Sequence, residues 1–201
     1  MLSILYRIYE KKLENEVFQK TIPEHIAVII DEMSLDDLIE GLDRFIEWSK
    51  NAGVKELTFA INGHGISEIE KIAKRIHGRV KLVMEGKELL FENGGSLKIN
   101  FLLNFGGRKE IVEATKELAM EVQKGEVNPD RIDEEIIERH LRIPSEPDVI
   151  VRASLKLLDF LIWQSIYSEH IFFDIDWKNL RYVDFLRILR EYQKRERRYG
   201  K

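Results

Sequence analysis

P-D-V-I-V-R-A-S-L-K-L-L-D-F-L-I-W-Q-S-I-Y-S-E-H-I-F-F-D-I-D-W, residues 147–177, holds the decisive pattern of this 201-residue chain. Val149, Ile150 and Val151 form a short apolar run with no polar alternation, the pattern of a strand buried on both faces. A polar step at Arg152 to Ser154 follows. Leu157, Leu158, Leu161, Ile162 and Ser165 then fall at helical spacing, so the sequence predicts a helix closed by the carboxylate of Glu169. A second apolar run spans Ile171 to Phe173. A strand, a polar loop carrying a cation, a helix and another strand make one unit of an alternating α/β chain.

The same alternation runs outward in both directions. Apolar strands are expected at Ile26–Ile30, Leu57–Ile61, Val80–Met84 and Leu97–Phe105, giving about six in all. Helical faces are expected over 2–18, from Ser34 to Gly53, from Ser67 to about His77, after Arg108, after Asn128-Pro129, and over 185–192. Ser34 reads as an N-cap with Asp37 three residues on, and Ser67 with Glu70 as a second capping box. Residues 86–95 are ambiguous, because Leu89-Leu90-Phe91 suits either a helical turn or an edge strand. No repeat or linker interrupts the order. The expectation is a single domain over 1–201, with a doubly wound parallel sheet and helices on both faces. Residues 1–20 would be an amphipathic helix, packed on its own domain or lying on a membrane surface or partner. Residues 192–201 would be a basic tail.

Composition narrows the function classes. Hydrophobic residues make up 44% and charged residues 34%, and the net charge is -4, so no global pull toward nucleic acid is expected. Cysteine is absent, which excludes disulfides and thiolate metal sites and suits a reducing cytoplasmic interior. No apolar run reaches the roughly 18 residues that a bilayer crossing needs, and the charged N-terminus is not a signal peptide. In doubly wound sheets, ligands bind beyond the carboxyl ends of the strands. Asp31, Asn62, Arg108 and Arg152 all fall at such ends. Gly106-Gly107 before a helix would let an anion approach its N-terminus, or would serve tight packing. His64 sits between two glycines and is the one loop histidine at that edge; a solvated side chain is the ordinary reading.

Five blocks resemble the cis-prenyltransferases, the undecaprenyl diphosphate synthase-like family. They are P-E-H-I-A-V-I-I-D (23–31), N-F-G-G-R-K-E-I (104–111), P-D-V-I-V-R-A-S (147–154), F-L-I-W-Q-S-I-Y-S-E-H-I-F-F-D-I-D-W (160–177) and Y-Q-K-R-E-R-R-Y-G (192–200). The opening L-Y-R-I-Y-E-K-K-L is similar to archaeal members. The resemblance implies an α/β dimer that joins isopentenyl diphosphate to an allylic diphosphate with Mg²⁺. It implies diphosphate contacts at Asp31, Arg108, Arg152 and Ser154, and Mg²⁺ ligation by Asp31 and Glu169. It implies a subunit interface at Trp163, Tyr167, Ser168, Glu169, Phe172 and Trp177. It also implies that Arg198 and Gly200 of the C-terminal Arg-x-Gly reach into a partner's site.

The chain departs from the family in three places. The Gly-Asn-Gly-Arg-Trp phosphate loop after Asp31 is replaced by Glu32-Met33-Ser34. In the second phosphate segment Lys156, Leu158 and Asp159 stand where the family has arginine, serine and asparagine. The segment between Ile61 and Val80 is short and polar, where active members carry an aromatic-rich wall for the growing chain. Together with the ending Arg198-Tyr199-Gly200-Lys201, these departures resemble the non-catalytic, Nogo-B receptor-like subunits of heteromeric enzymes. The expectation is therefore an accessory subunit, in a heterodimer or heterotetramer with a catalytic partner that binds Mg²⁺. It would be cytoplasmic, with peripheral membrane contact possible. The alternatives are an atypical short-chain transferase acting as a homodimer, and a non-enzymatic scaffold.

Overall fold

The computed structural model describes residues 2–30, 32–84, 86–152, 159–173 and 175–195, with side chains from residue 5 onward. Seven strands form one sheet: β1 (His25–Ile30), β2 (Glu56–Ile61), β3 (Arg79–Met84), β4 (Lys87–Glu92), β5 (Lys98–Leu103), β6 (Val149–Arg152) and β7 (Glu169–Phe172). Their order is β4-β3-β5-β2-β1-β6-β7. Every neighbouring pair is parallel except β3–β4. The seventh strand is β4, so residues 87–92 form an edge strand rather than a helical turn. It returns through a two-residue connection in which Gly86 has φ 68°.

The helices are α1 (Leu2–Phe18), α2 (Leu35–Ala52), α3 (Ile66–Ala73), α4 (Gly107–Lys124), α5 (Glu134–Glu138) and α6 (Tyr182–Lys194). One sheet face carries the larger core. Phe59 stacks on Phe101 at 5.6 Å, and Phe45 of α2 meets Phe59 and Phe185 edge-on at 6.0 and 5.4 Å. Ile69 and Ile72 bring α3 down onto the same face, where both are buried. The opposite face is smaller, built on Ala27, Ile29, Ala60, Leu102 and Ile150 with Phe160 and Leu161 above. Helix α1 packs by Leu13 and Val17, while Leu5 and Ile8 remain exposed. No helix among the described residues is long and apolar enough to cross a membrane.

Several local expectations change. Ser34 does cap α2, its Oγ accepting from the Asp37 N–H at 3.3 Å, and Gly53 ends α2 at φ 86°. The second cap is not Ser67 with Glu70. Glu70 is drawn to Lys74 at 2.7 Å, and Glu68 reaches back to accept from the Gly65 N–H at 3.0 Å. Helix α3 stops at Ala73 because the Asn93 amide donates to the carbonyls of Ala73 and Ile76. Asn128-Pro129 opens only a single 3₁₀ turn, and Asp133 caps the separate α5.

The predicted helix over 157–165 is not present in its described part. Residues 161–167 run as successive turns, and Leu161 lies at φ 45°. The cause is packing against α4: a Cβ on Gly107 would come within 3.1 Å of the Ile162 N and Cγ1 atoms. Glu169 accordingly begins β7 rather than closing a helix. Trp177 is not at a surface. It is 2% exposed, lies 5.7 Å from Phe45, and fills the space left by the missing side chain of Gly41.

Candidate functional site at the carboxyl edge of the sheet

The carboxyl ends of β1, β2, β5 and β6 converge on one edge. Asp31 and Ser154 lie outside the described residues, as do Arg198 and Gly200. After β1, the Glu32 side chain lies across Gly63. The first turn of α2 holds Asp36 and Asp37. Its N-terminus is thus capped by the chain's own Ser34 and surrounded by carboxylates, which oppose a bound anion.

After β2, residues 62–65 are clamped by Asn104. Its Oδ1 accepts from the Gly63 N–H at 3.1 Å, and its Nδ2 donates to the His64 carbonyl at 3.4 Å. Asn104 holds φ 49°, a conformation that costs free energy and that the two bonds retain. The His64 ring is 9% exposed. Its Nδ1 lies 3.5 Å from Glu68 Oε2, and its Nε2 is buried without a hydrogen-bond partner.

After β5, Gly106-Gly107 leads into α4, but the chain itself occupies the helix N-terminus. The Arg108 N–H donates to Asp159 Oδ1 and the Gly107 N–H to the Asp159 carbonyl, each at 2.8 Å. The two glycines serve close packing of residues 159–162. The Arg108 side chain is exposed. One turn on, Glu110 is buried and accepts from the Arg142 N–H at 2.8 Å and from Gln164 Nε2 at 3.3 Å. Burial pushes its carboxyl above the usual range, against the opposing effect of those bonds. This pair braces residues 160–167 against α4. Sequence reasoning named Asp159 only as a departure from the family's asparagine, and missed its contact with α4, Glu110, Gln164 and the Glu68 contact. Of these, only the four-residue His64–Glu68 spacing was legible.

Arg152 ends β6. It is 5% exposed, and its Nε and Nη1 have no hydrogen-bond partner among the described residues. Burial pulls its pKa below the usual arginine value, with no carboxylate among the described residues offsetting it. His170, on the adjacent β7, has a lowered pKa through burial first and the Arg152 charge second.

Glu169 is not brought to this edge. It pairs in register with Val149, which pairs with Ile26. That is four residues before the end of β1, or about 13 Å at ~3.3 Å per residue. Its carboxylate faces Arg195 at 3.3 Å. Among the described residues no three metal-ligating side chains cluster. Asp31, the other expected Mg²⁺ ligand, lies outside the described residues. Of the expected interface residues, Trp163 donates to Glu138 at 3.3 Å and Ser168 to the Pro147 carbonyl at 2.6 Å. Tyr167 and Phe172 are exposed, as are Ile162 and Ile166 beside them.

Known proteins share this architecture. Lavandulyl diphosphate synthase from Lavandula x intermedia, solved with dimethylallyl diphosphate, superposes with a TM-score of 0.71 over 92% of this chain and 100% of that one, at 22% identity. Tritrans,polycis-undecaprenyl-diphosphate synthase (geranylgeranyl-diphosphate specific) of Methanocaldococcus jannaschii is 31% identical, covering 99% of this chain and 90% of its own. The isoprenyl transferase of Thermus thermophilus is also 31% identical, over 98% and 96%. Both matches span 252 positions against 201 residues here, so about fifty aligned positions have no residue in this chain. The family model of undecaprenyl diphosphate synthase matches residues 61–200. With its sheet order, its carboxyl-edge site and these matches, the chain belongs to the undecaprenyl diphosphate synthase-like cis-prenyltransferase family.

Proposed function

We propose that this chain carries out cis-prenyl transfer on isoprenoid diphosphates. C4 of isopentenyl diphosphate bonds to C1 of an allylic diphosphate. The C1–O bond breaks with its electron pair leaving on diphosphate, and a proton is lost from C2. The observation that carries this reading is Arg152, a buried guanidinium at the carboxyl edge with two nitrogens unpartnered among the described residues. Such a group is costly in an empty fold and suited to a diphosphate oxygen, for which arginine supplies a fixed fork of donors. Relatives matching along nearly the whole chain are named as transferases of this kind. A short product suits the core, since Phe45, Phe59, Phe101, Ile69 and Ile72 fill the space between α2, α3 and the sheet. The exposed Ile166, Tyr167 and Phe172 beside edge strand β7 support pairing of two chains there.

A second reading is the non-catalytic subunit of a heteromeric enzyme, contributing Arg198 and Gly200 to a catalytic partner that holds Mg²⁺. It is favoured by the acidic, self-capped start of α2 in place of a phosphate loop. The test is product formation from isopentenyl and allylic diphosphates with Mg²⁺, by the chain alone and with a homologue carrying an intact phosphate loop. Turnover by the chain alone, lost on Arg152→Ala, supports the first reading. Turnover only with both chains, lost on Arg198→Ala, supports the second. No effect of the chain in either assay refutes both.

A further inference from the structure

The unpartnered nitrogen of His64 is the second unexplained buried polar group at the carboxyl edge. A buried nitrogen left without a bond costs free energy, so its retention calls for a partner that the described residues do not supply. Everything around it fixes its direction. Glu68, four residues on in α3, faces Nδ1 and is itself held by the Gly65 N–H. Asn104 pins the loop on both sides of His64. A carboxylate beside Nδ1 orients the ring, and an imidazole carrying protons on both nitrogens donates from Nε2 to an anion.

We infer that His64 Nε2 is a donor to the diphosphate of the allylic substrate, replacing contacts that the absent phosphate loop would make. The inference rests on the transferase reading above and names a specific substrate for this part of the edge. His64 follows β2 and Arg152 ends β6, with β1 between them. Two strand spacings put the strands that carry them about 10 Å apart, and His64 lies four residues beyond Ala60, the β2 position level with Arg152, so one phosphate group does not span their backbone positions. Arg152 and His64 therefore serve different diphosphates.

Titration calorimetry with dimethylallyl diphosphate and, separately, isopentenyl diphosphate tests this on the wild type, His64→Ala and Arg152→Ala, with thermal melts as a folding control. The imidazole ¹⁵N shifts of His64 in the wild type give a readout that needs no variant. The expected result is an allylic affinity about ten- to a hundredfold weaker in His64→Ala. Isopentenyl diphosphate binding should be unchanged in that variant, and the allylic ligand should move Nε2 selectively. Unchanged allylic affinity and an unmoved Nε2, with isopentenyl diphosphate still lost in Arg152→Ala, overturns the role of His64 alone. If neither diphosphate binds the wild type, this inference and the transferase reading fall together.

Discussion

Replacing Arg152 by methionine should make the free protein more stable and stop it binding isopentenyl diphosphate. Arg152 is 5% exposed, with Nε and Nη1 unpartnered among the described residues. Each such donor costs about 1–3 kcal/mol when buried, and the charge itself adds to that. Burial lowers the pKa of both Arg152 and His170, and the Arg152 charge lowers His170 further. Methionine keeps most of the unbranched stem and removes both the charge and the donors. Allowing about 1 kcal/mol for imperfect packing, the net gain should be about 2 kcal/mol. For a chain of this length that is a rise of about 4–8 °C in Tm. Isopentenyl diphosphate should reverse the order. At a hundredfold excess over Kd it stabilises the wild type by about 2.7 kcal/mol and leaves Arg152→Met unmoved. Differential scanning calorimetry with and without isopentenyl diphosphate reads both effects. A loss of more than 1 kcal/mol in ligand-free Arg152→Met would show that the guanidinium is already satisfied, and would refute the reasoning.

Three further outcomes follow from the packing and the titrating groups. Gly41→Ala should destabilise by about 1 kcal/mol in urea melts. The new Cβ lies 2.6 Å from Trp177 Cε3 and 3.0 Å from its carbonyl, and overpacking of about 1–3 kcal/mol exceeds the ~1 kcal/mol helix gain. In a Trp177→Leu background the same change should become neutral or stabilising. Ser34→Ala should cost about 1 kcal/mol by removing the α2 cap, without loss of fold by circular dichroism. His25 is held below the ordinary histidine value of about 6.5, first by burial. Its contribution to stability is complete above that value and declines as pH falls from 6.5 through the lower folded value. Urea midpoints from pH 8 to pH 5 should therefore fall more steeply in the wild type than in His25→Gln.

The strands were legible because a run such as Ile26–Ile30 is apolar at every position, and only a strand covered on both faces uses such a run. Edge strand β4 was not, because Leu90 is 73% exposed and gives no alternation to read. The apolar spacing of 157–165 mimics a helix. What decides its shape is contact with Gly107, fifty-odd residues earlier, which no local pattern encodes. Trp177 sits in an aromatic-rich stretch that suggests a surface, yet its place is set by a glycine in α2. At the site, Arg152 was identifiable from its position after a buried strand. That its guanidinium is unpartnered among the described residues depends on what surrounds it, and so does the burial of His64 Nε2. Asp159 could be seen as a departure at an asparagine position. Its use as the cap of α4 could not.

The central position of β1 has a consequence for the order in which this protein can be made. β1 pairs with β2 on one side and with β6 on the other, and the His25 N–H is bound by Asp148, 123 positions later. A ribosome adding about 5–20 residues per second leaves that side of β1 open for about 6–25 s after its synthesis. During that interval the nascent chain carries an open strand, apolar from Ile26 to Ile30, in the middle of its future sheet. Such an edge is a natural target for a holding chaperone.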